Sequence, residues 1–112
     1  MSQKIAVVGA GFIGRSWAMV FSKAGHHVSL YDIDPAALSE AMNLLEINIA
    51  DLESNGLISS KDDLLGRIQP YKTLEGAVEE ADWVQENALE NVQIKRELFS
   101  RMDELLSLIH IS

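Results

Sequence analysis

The chain has 112 residues, with 17 acidic and 9 basic side chains that give a formal charge of −8. This length holds one domain, and 47% hydrophobic with 23% charged residues is typical of a folded globular protein. The negative charge disfavours nucleic acid and anionic membranes as partners, and the lack of cysteine excludes disulfides and thiolate catalysis. We find neither a transmembrane run of ~20 apolar residues nor a signal-peptide pattern, so we expect a cytoplasmic domain with no membrane partner.

The first 31 residues predict a strand, a glycine turn, a helix and a second strand. Residues 4–8 are a short apolar run that ends at glycine, as in a strand buried in a parallel sheet. The helix ends at a glycine suited to a left-handed cap, and a strand over 27–31 follows. Steps of three and four place five residues on one apolar helical face: Ile13, Trp17, Val20, Phe21 and Ala24. Trp17 and Trp83 are interpreted as core residues.

Three helix starts follow from capping residues. Asp34 is an N-cap candidate, and Pro35 suits the first helical position of a long helix that stops at residues 55–56. Ser60 resembles the start of a capping box, and Thr73 caps another short helix.

The second half of the chain predicts two strands and a final helix, over residues 68–71, 81–88 and 92–105. Together these elements predict an α/β fold with a Rossmann-type, doubly wound parallel sheet over residues 1–105. Residues 106–112 resemble the in-frame translation of a sequencing adapter. We interpret them as a non-native tail, with an apolar strand as the alternative.

Gly9, Gly11 and Gly14 form a G-x-G-x-x-G motif between a predicted strand and a predicted helix. The first glycine allows the tight turn, the second lets the backbone approach a pyrophosphate, and the third lets the helix pack closely on the strand. Free N–H groups and the positive end of the helix dipole then hold the phosphates. The motif predicts a dinucleotide site.

Asp32 stands at the end of the second strand, 23 residues after Gly9. A carboxylate there can accept hydrogen bonds from the adenosine ribose and repels a 2′-phosphate, so NAD is favoured over NADP. In the alternative, the glycines only make a turn and Asp32 only starts a loop. The acidic stretch over residues 75–90 is interpreted as a solvated helix face and not as a metal site.

Two segments, IAVVGAGFIGRSWAMVFSKAGHHVSLYDID and VQENALENVQIKRELFSRMDEL, resemble the NAD-binding domain of the 3-hydroxyacyl-CoA dehydrogenases. G-R-S-W-A at residues 14–18 is especially similar to the lambda-crystallin branch, which includes L-gulonate 3-dehydrogenase. The resemblance covers residues 3–105. It implies that a helical domain, which supplies homodimerisation and part of the active site, follows in the complete protein, so that this chain is an N-terminal fragment.

The resemblance also implies site residues. The glycine loop, with Ala10, Phe12 and Ile13 between its glycines, would bind the pyrophosphate, and Asp32 the ribose. Glu90 and Lys95 match residues that the family uses near the nicotinamide. The catalytic serine, histidine, glutamate and asparagine of the family fall beyond the end of this chain, so we expect the fragment to be inactive.

The implied activity is NAD-dependent oxidation of a 3-hydroxy group to a ketone, in fatty acid metabolism, on a 3-hydroxy acid or its CoA thioester. The acyl-CoA enzymes carry a serine and a lysine where this chain has Asn48 and Asn55, and the missing lysine removes an ion partner of CoA. Three alternatives stay open: a sugar-acid dehydrogenase of the L-gulonate type, a carnitine-type dehydrogenase and a non-catalytic, crystallin-like nucleotide-binding module.

Overall fold

The computed structural model describes residues 2–87 and the backbone of residues 110–111. The described strands form one parallel sheet with the order β3-β2-β1-β4-β5. They are β1 (Lys4–Val8), β2 (His27–Tyr31), β3 (Ile68–Pro70), β4 (Trp83–Glu86) and β5 (His110–Ile111). The predicted α/β class and the doubly wound parallel sheet are confirmed, and β1 lies in the middle of the sheet.

Four described helices connect these strands: α1 (Phe12–Lys23), α2 (Pro35–Ser54), α3 (Lys61–Gly66) and α4 (Leu74–Val78). The predicted caps of the last three are confirmed, because the side chains of Asp34, Ser60 and Thr73 accept hydrogen bonds from backbone N–H groups of the first turns. Beyond the end of α1, Gly25 has a φ of 95°, a left-handed conformation that favours glycine.

The sheet separates two hydrophobic clusters. Ile5 and Val7 of β1 face α1, α2 and α3, whereas the alternate residues Ala6 and Val8 face α4. This alternation places helices on both faces and buries β1 almost completely, as its apolar sequence predicts.

The apolar face predicted for α1 is wrong for most of its residues, although Phe21 is partly buried against the core. Ile13 and Val20 are 62% and 55% exposed, and Trp17 is 39% exposed. The helix instead buries a line of small residues at a spacing of four: Gly14, Ala18 and Ser22. The interpretation of Trp83 as a core residue is also wrong, because it is 36% exposed on β4.

The chain's last described residues form the edge of the sheet. His110 and Ile111 pair in parallel with Trp83 and Val84. The predicted helix over residues 92–105 lies outside the described residues. The assignment of residues 106–112 to a non-native tail stays a prediction.

Candidate functional site

The glycine loop begins directly where β1 ends. Gly9 has a φ of 101°, a conformation that side chains disfavour, and its N–H donates to the carbonyl of Tyr31 at 2.8 Å. The turn predicted at Gly9 is therefore confirmed, and its backbone is tied to the end of β2.

The other two glycines of the motif differ in the space around them. A Cβ at Gly14 would lie 1.7 Å from the carbonyl oxygen of Gly9, so the close packing predicted at this position is confirmed. A Cβ at Gly11 would meet no atom within 4 Å. The loop is thus tightly packed where Gly14 meets Gly9, and it is open at Gly11, as the approach of a pyrophosphate requires.

The N-terminus of α1 has no side-chain cap, and its N-cap residue is Gly11. The other helices that the structure describes, α2, α3 and α4, are each capped by a side chain. Phe12 is 74% exposed in the first turn of α1, and its ring lies 5.9 Å from the guanidinium carbon of Arg15. The N–H groups of this turn are therefore available to an anionic group.

Asp32 follows β2 and lies beside the glycine loop. Its Oδ2 accepts a hydrogen bond from the N–H of Ala10 at 2.8 Å, and its Oδ1 accepts one from the N–H of Asp34 at 2.8 Å. A carboxylate has about four acceptor positions, so two remain for a ligand. The structure thus brings together the loop and the acid that the sequence singled out.

The change of direction in the strand order lies between β1 and β4, where α/β proteins bind ligands beyond the carboxyl ends of the strands. Asn87 follows β4 there, and its N–H donates to the carbonyl of Val8 at 2.8 Å. Its side-chain nitrogen would lie 3.7 Å from a Cβ at Gly14. The sequence reasoning missed Asn87, although its place at the end of the strand predicted over residues 81–88 is a signal that could have found it.

A groove of about 770 Å³ extends from Asp32 between α2 and the segment after β3. Its lining combines apolar side chains with charged groups and includes Asp32, Ile33, Leu38, Met42, Pro70 and Lys72. A mostly apolar slot beside this acid suits a flat base such as adenine. Lys72 is a cation near this acid that the sequence reasoning did not anticipate.

The remaining predicted positions lie elsewhere. Glu90 and Lys95 fall outside the described residues. His27 begins β2 and His26 accepts a hydrogen bond from the N–H of Gln3, so both lie at the sheet edge opposite the glycine loop.

Metal-ligating clusters and membrane-spanning helices are both absent from the described part of the chain. Residues 2–87 and 110–111 contain no group of three metal-ligating side chains. They also contain no helix of the length and hydropathy that a membrane crossing needs.

Comparison with known proteins supports this geometry. The chain is 40% identical over 104 residues to a lambda-crystallin homolog of Bos taurus, which covers 90% of this chain and 32% of that protein. An L-carnitine dehydrogenase of Streptomyces griseus is 36% identical over 101 residues, covering 90% of this chain and 30% of the relative. The chain therefore spans about a third of the length of these relatives.

A solved structure shares the fold. The 3-hydroxybutyryl-CoA dehydrogenase of Escherichia coli K12 matches with a TM-score of 0.83 at 30% identity, over 92% of this chain and 22% of that one. The family model described as "3-hydroxyacyl-CoA dehydrogenase, NAD binding domain" matches residues 4–110. The predicted cofactor, NAD, is that of this domain, and the chain belongs to the NAD-binding domains of the 3-hydroxyacyl-CoA dehydrogenase family.

Proposed function

We propose that the chain holds the pyrophosphate of NAD on the loop over residues 9–14 and the adenosine ribose on Asp32. The observation that carries this proposal is the uncapped start of α1 beside the open position at Gly11. The phosphates would occupy the space above Gly11 and accept hydrogen bonds from the first-turn N–H groups. Ala10, Phe12, Ile13 and Gly14 complete the loop around them.

The groove beside Asp32 would receive the adenine base against Ile33 and Leu38. A 2′-phosphate would bring a second negative charge against the carboxylate of Asp32, which selects NAD over NADP. Lys72 lines the same groove and partly offsets that repulsion. Glu90 and Lys95 are proposed to contact the nicotinamide end on the strength of the family resemblance.

In the complete protein we propose an NAD-dependent dehydrogenase that oxidises a 3-hydroxy group to a ketone. Hydride passes to the nicotinamide, and a base outside this chain takes the hydroxyl proton. The proposed substrate is a small 3-hydroxy acid or its CoA thioester. We propose that the complete protein is a cytoplasmic homodimer and that it acts in fatty acid metabolism. The 112-residue chain alone is expected to leave NAD unreduced.

A carnitine-like or sugar-acid substrate is the second candidate. Asn48 on α2 and Asn55, the C-cap residue of that helix, are exposed at the positions where the acyl-CoA enzymes carry a serine and a lysine. The Asn55 amide donates to the carbonyl of Asp51. An asparagine supplies no positive charge for a CoA phosphate. The relative named L-carnitine dehydrogenase also supports this candidate.

Calorimetric titration of the chain with NAD and with NADP tests the cofactor site. We expect NAD to bind at least about tenfold more tightly than NADP, because the carboxylate of Asp32 repels the 2′-phosphate that only NADP carries. Gly11→Val is the matched variant: a Cβ at this position meets no atom within 4 Å, and the valine side chain would extend into the proposed phosphate space. It should lower the free energy of unfolding by only about 1 kcal/mol, because valine caps a helix less well than glycine, and it should abolish NAD binding.

Equal or tighter binding of NADP would contradict the proposal for Asp32, and normal NAD binding by Gly11→Val would contradict that for the loop. Formation of NADH is then measured with 3-hydroxybutyryl-CoA, L-carnitine and L-gulonate. Absorbance should stay at background with each substrate, whereas turnover by purified chain would show that the proton acceptor lies within these 112 residues. NAD binding without turnover by the complete protein would favour the crystallin-like module.

A further inference from the structure

The carboxylate of Asp32 joins the glycine loop to the start of α2. One oxygen accepts from the N–H of Ala10 in the loop, and the other accepts from the N–H of Asp34, the N-cap residue of α2. Both distances are 2.8 Å, which is typical of a hydrogen bond to a charged acceptor. The carboxylate therefore forms hydrogen bonds to two chain segments.

The loop depends on this bond because Ala10 is buried. Ala10 is 1% exposed, so in this structure the carboxylate of Asp32, and not water, is the acceptor for its N–H. The preceding N–H, that of Gly9, donates to the carbonyl of Tyr31. Two successive N–H groups of the loop are thus held by the end of β2 and by the acid that follows it.

We infer that Asp32 is a positioning residue for the phosphate-binding loop, in addition to its contact with ribose under the proposed function on which this inference rests. By fixing Ala10, the carboxylate holds the loop in the conformation that leaves Gly11 open and the first turn of α1 uncapped. A loop fixed in advance binds its ligand with less loss of conformational entropy. Loss of the carboxylate therefore weakens the binding of two parts of the dinucleotide: that of the adenosine ribose directly, and that of the pyrophosphate through the loop.

The first test uses the chain without ligand. Exchange of the Ala10 amide with deuterium is followed by NMR in the original chain, in Asp32→Ala and in Asp34→Ala. Asp34→Ala is the matched control, because its carboxylate caps α2 without reaching the loop and its backbone N–H remains. We expect Asp32→Ala to accelerate exchange at Ala10 about tenfold or more relative to the amides of β1, and Asp34→Ala to leave that ratio unchanged.

The second test separates the loop from the ribose contact. The probe is an NAD analogue whose adenosine lacks the 2′- and 3′-hydroxyl groups, titrated against the original chain and Asp32→Ala. If Asp32 acts only on ribose, both bind the analogue equally. If it also fixes the loop, Asp32→Ala binds it about tenfold more weakly.

The amide of Asp32→Asn has a single acceptor oxygen, so it can satisfy Ala10 or Asp34 but not both. We expect intermediate values for this variant in both measurements. Unchanged exchange at Ala10 together with equal affinity for the analogue would overturn the inference. If the original chain binds neither NAD nor the analogue, the proposed function fails, while the exchange of Ala10 still decides whether Asp32 holds the loop.

Discussion

The helices α1 and α2 pack on the same face of the sheet by opposite means. α2 inserts large side chains, Leu38, Leu45 and Ile49, together with Ala41, into the core. α1 fully buries the small residues Gly14, Ala18 and Ser22, packs Met19 and Phe21 only partly against the core, and leaves Ile13 and Val20 largely exposed. Both helices carry an apolar pattern, but only in α2 does that pattern mark the buried face.

The glycine loop explains this difference. The first turn of α1 must lie directly beside the end of β1, since the Cβ position of Gly14 overlaps the carbonyl oxygen of Gly9. A helix that starts so close to the strand has room only for small side chains one and two turns later, at Ala18 and Ser22. Ser22 also donates to the carbonyl of Leu64 at 2.6 Å, so its hydroxyl is satisfied within the core. Close approach, and not hydrophobicity, determines which face α1 buries.

Gly14→Ala should produce the largest change. The added methyl group would lie 1.7 Å from the oxygen of Gly9, so the loop and the helix have to separate. We expect the free energy of unfolding, measured in urea, to fall by more than about 4 kcal/mol, a loss that single substitutions reach only exceptionally.

Gly11→Ala is the control for this substitution, because it adds the same methyl group where no atom lies within 4 Å. Its cost should stay within about 1 kcal/mol, which reflects the poorer capping by alanine. A similar loss of stability for both variants would show that the contact at Gly14 does not set the position of α1.

Leu45→Ala tests the packing of α2. Leu45 is fully buried in α2, and its removal leaves a cavity that the neighbouring side chains fill only in part. We expect a loss of about 3 kcal/mol in the same urea experiment. Ile47→Ala, two residues away and 57% exposed, should change stability by less than about 1 kcal/mol. Equal effects of the two substitutions would mean that α2 does not pack on the sheet through this face.

Much of the fold could be predicted because its signals are local. Asp34 and Pro35 define the start of α2 through capping geometry, and β2 coincides with its predicted range over residues 27–31. Strand β4 is shorter than predicted, at Trp83–Glu86, because parallel pairing with β1 stops where Val8 ends. The buried face of α1 could not be predicted from periodicity, because contact between Gly14 and Gly9 depends on the tertiary approach of helix and strand.

In the candidate site, too, the sequence predicts the residues of a local motif and misses those that tertiary structure brings together. The glycine loop and Asp32 belong to one continuous motif, so sequence spacing alone placed them together. Asn87 and Lys72 come from segments that follow other strands, and only the strand order brings them to the same edge. The hydrogen bond from Ala10 to Asp32 was also beyond the sequence, because the orientation of a carboxylate depends on the N–H groups that surround it.

Val20→Ser should give the smallest effect and tests the exposed face of α1 directly. Valine and serine have similar helix propensities, so any large change would report burial of the side chain. Because Val20 is 55% exposed, we expect the free energy of unfolding to change by less than about 0.5 kcal/mol. Val78→Ser is the matched substitution in a helix, at a side chain that is 1% exposed, and it should cost about 2 kcal/mol or more. If Val20→Ser costs as much as Val78→Ser, the apolar face predicted from the sequence is buried after all, and α1 is rotated from the orientation described here.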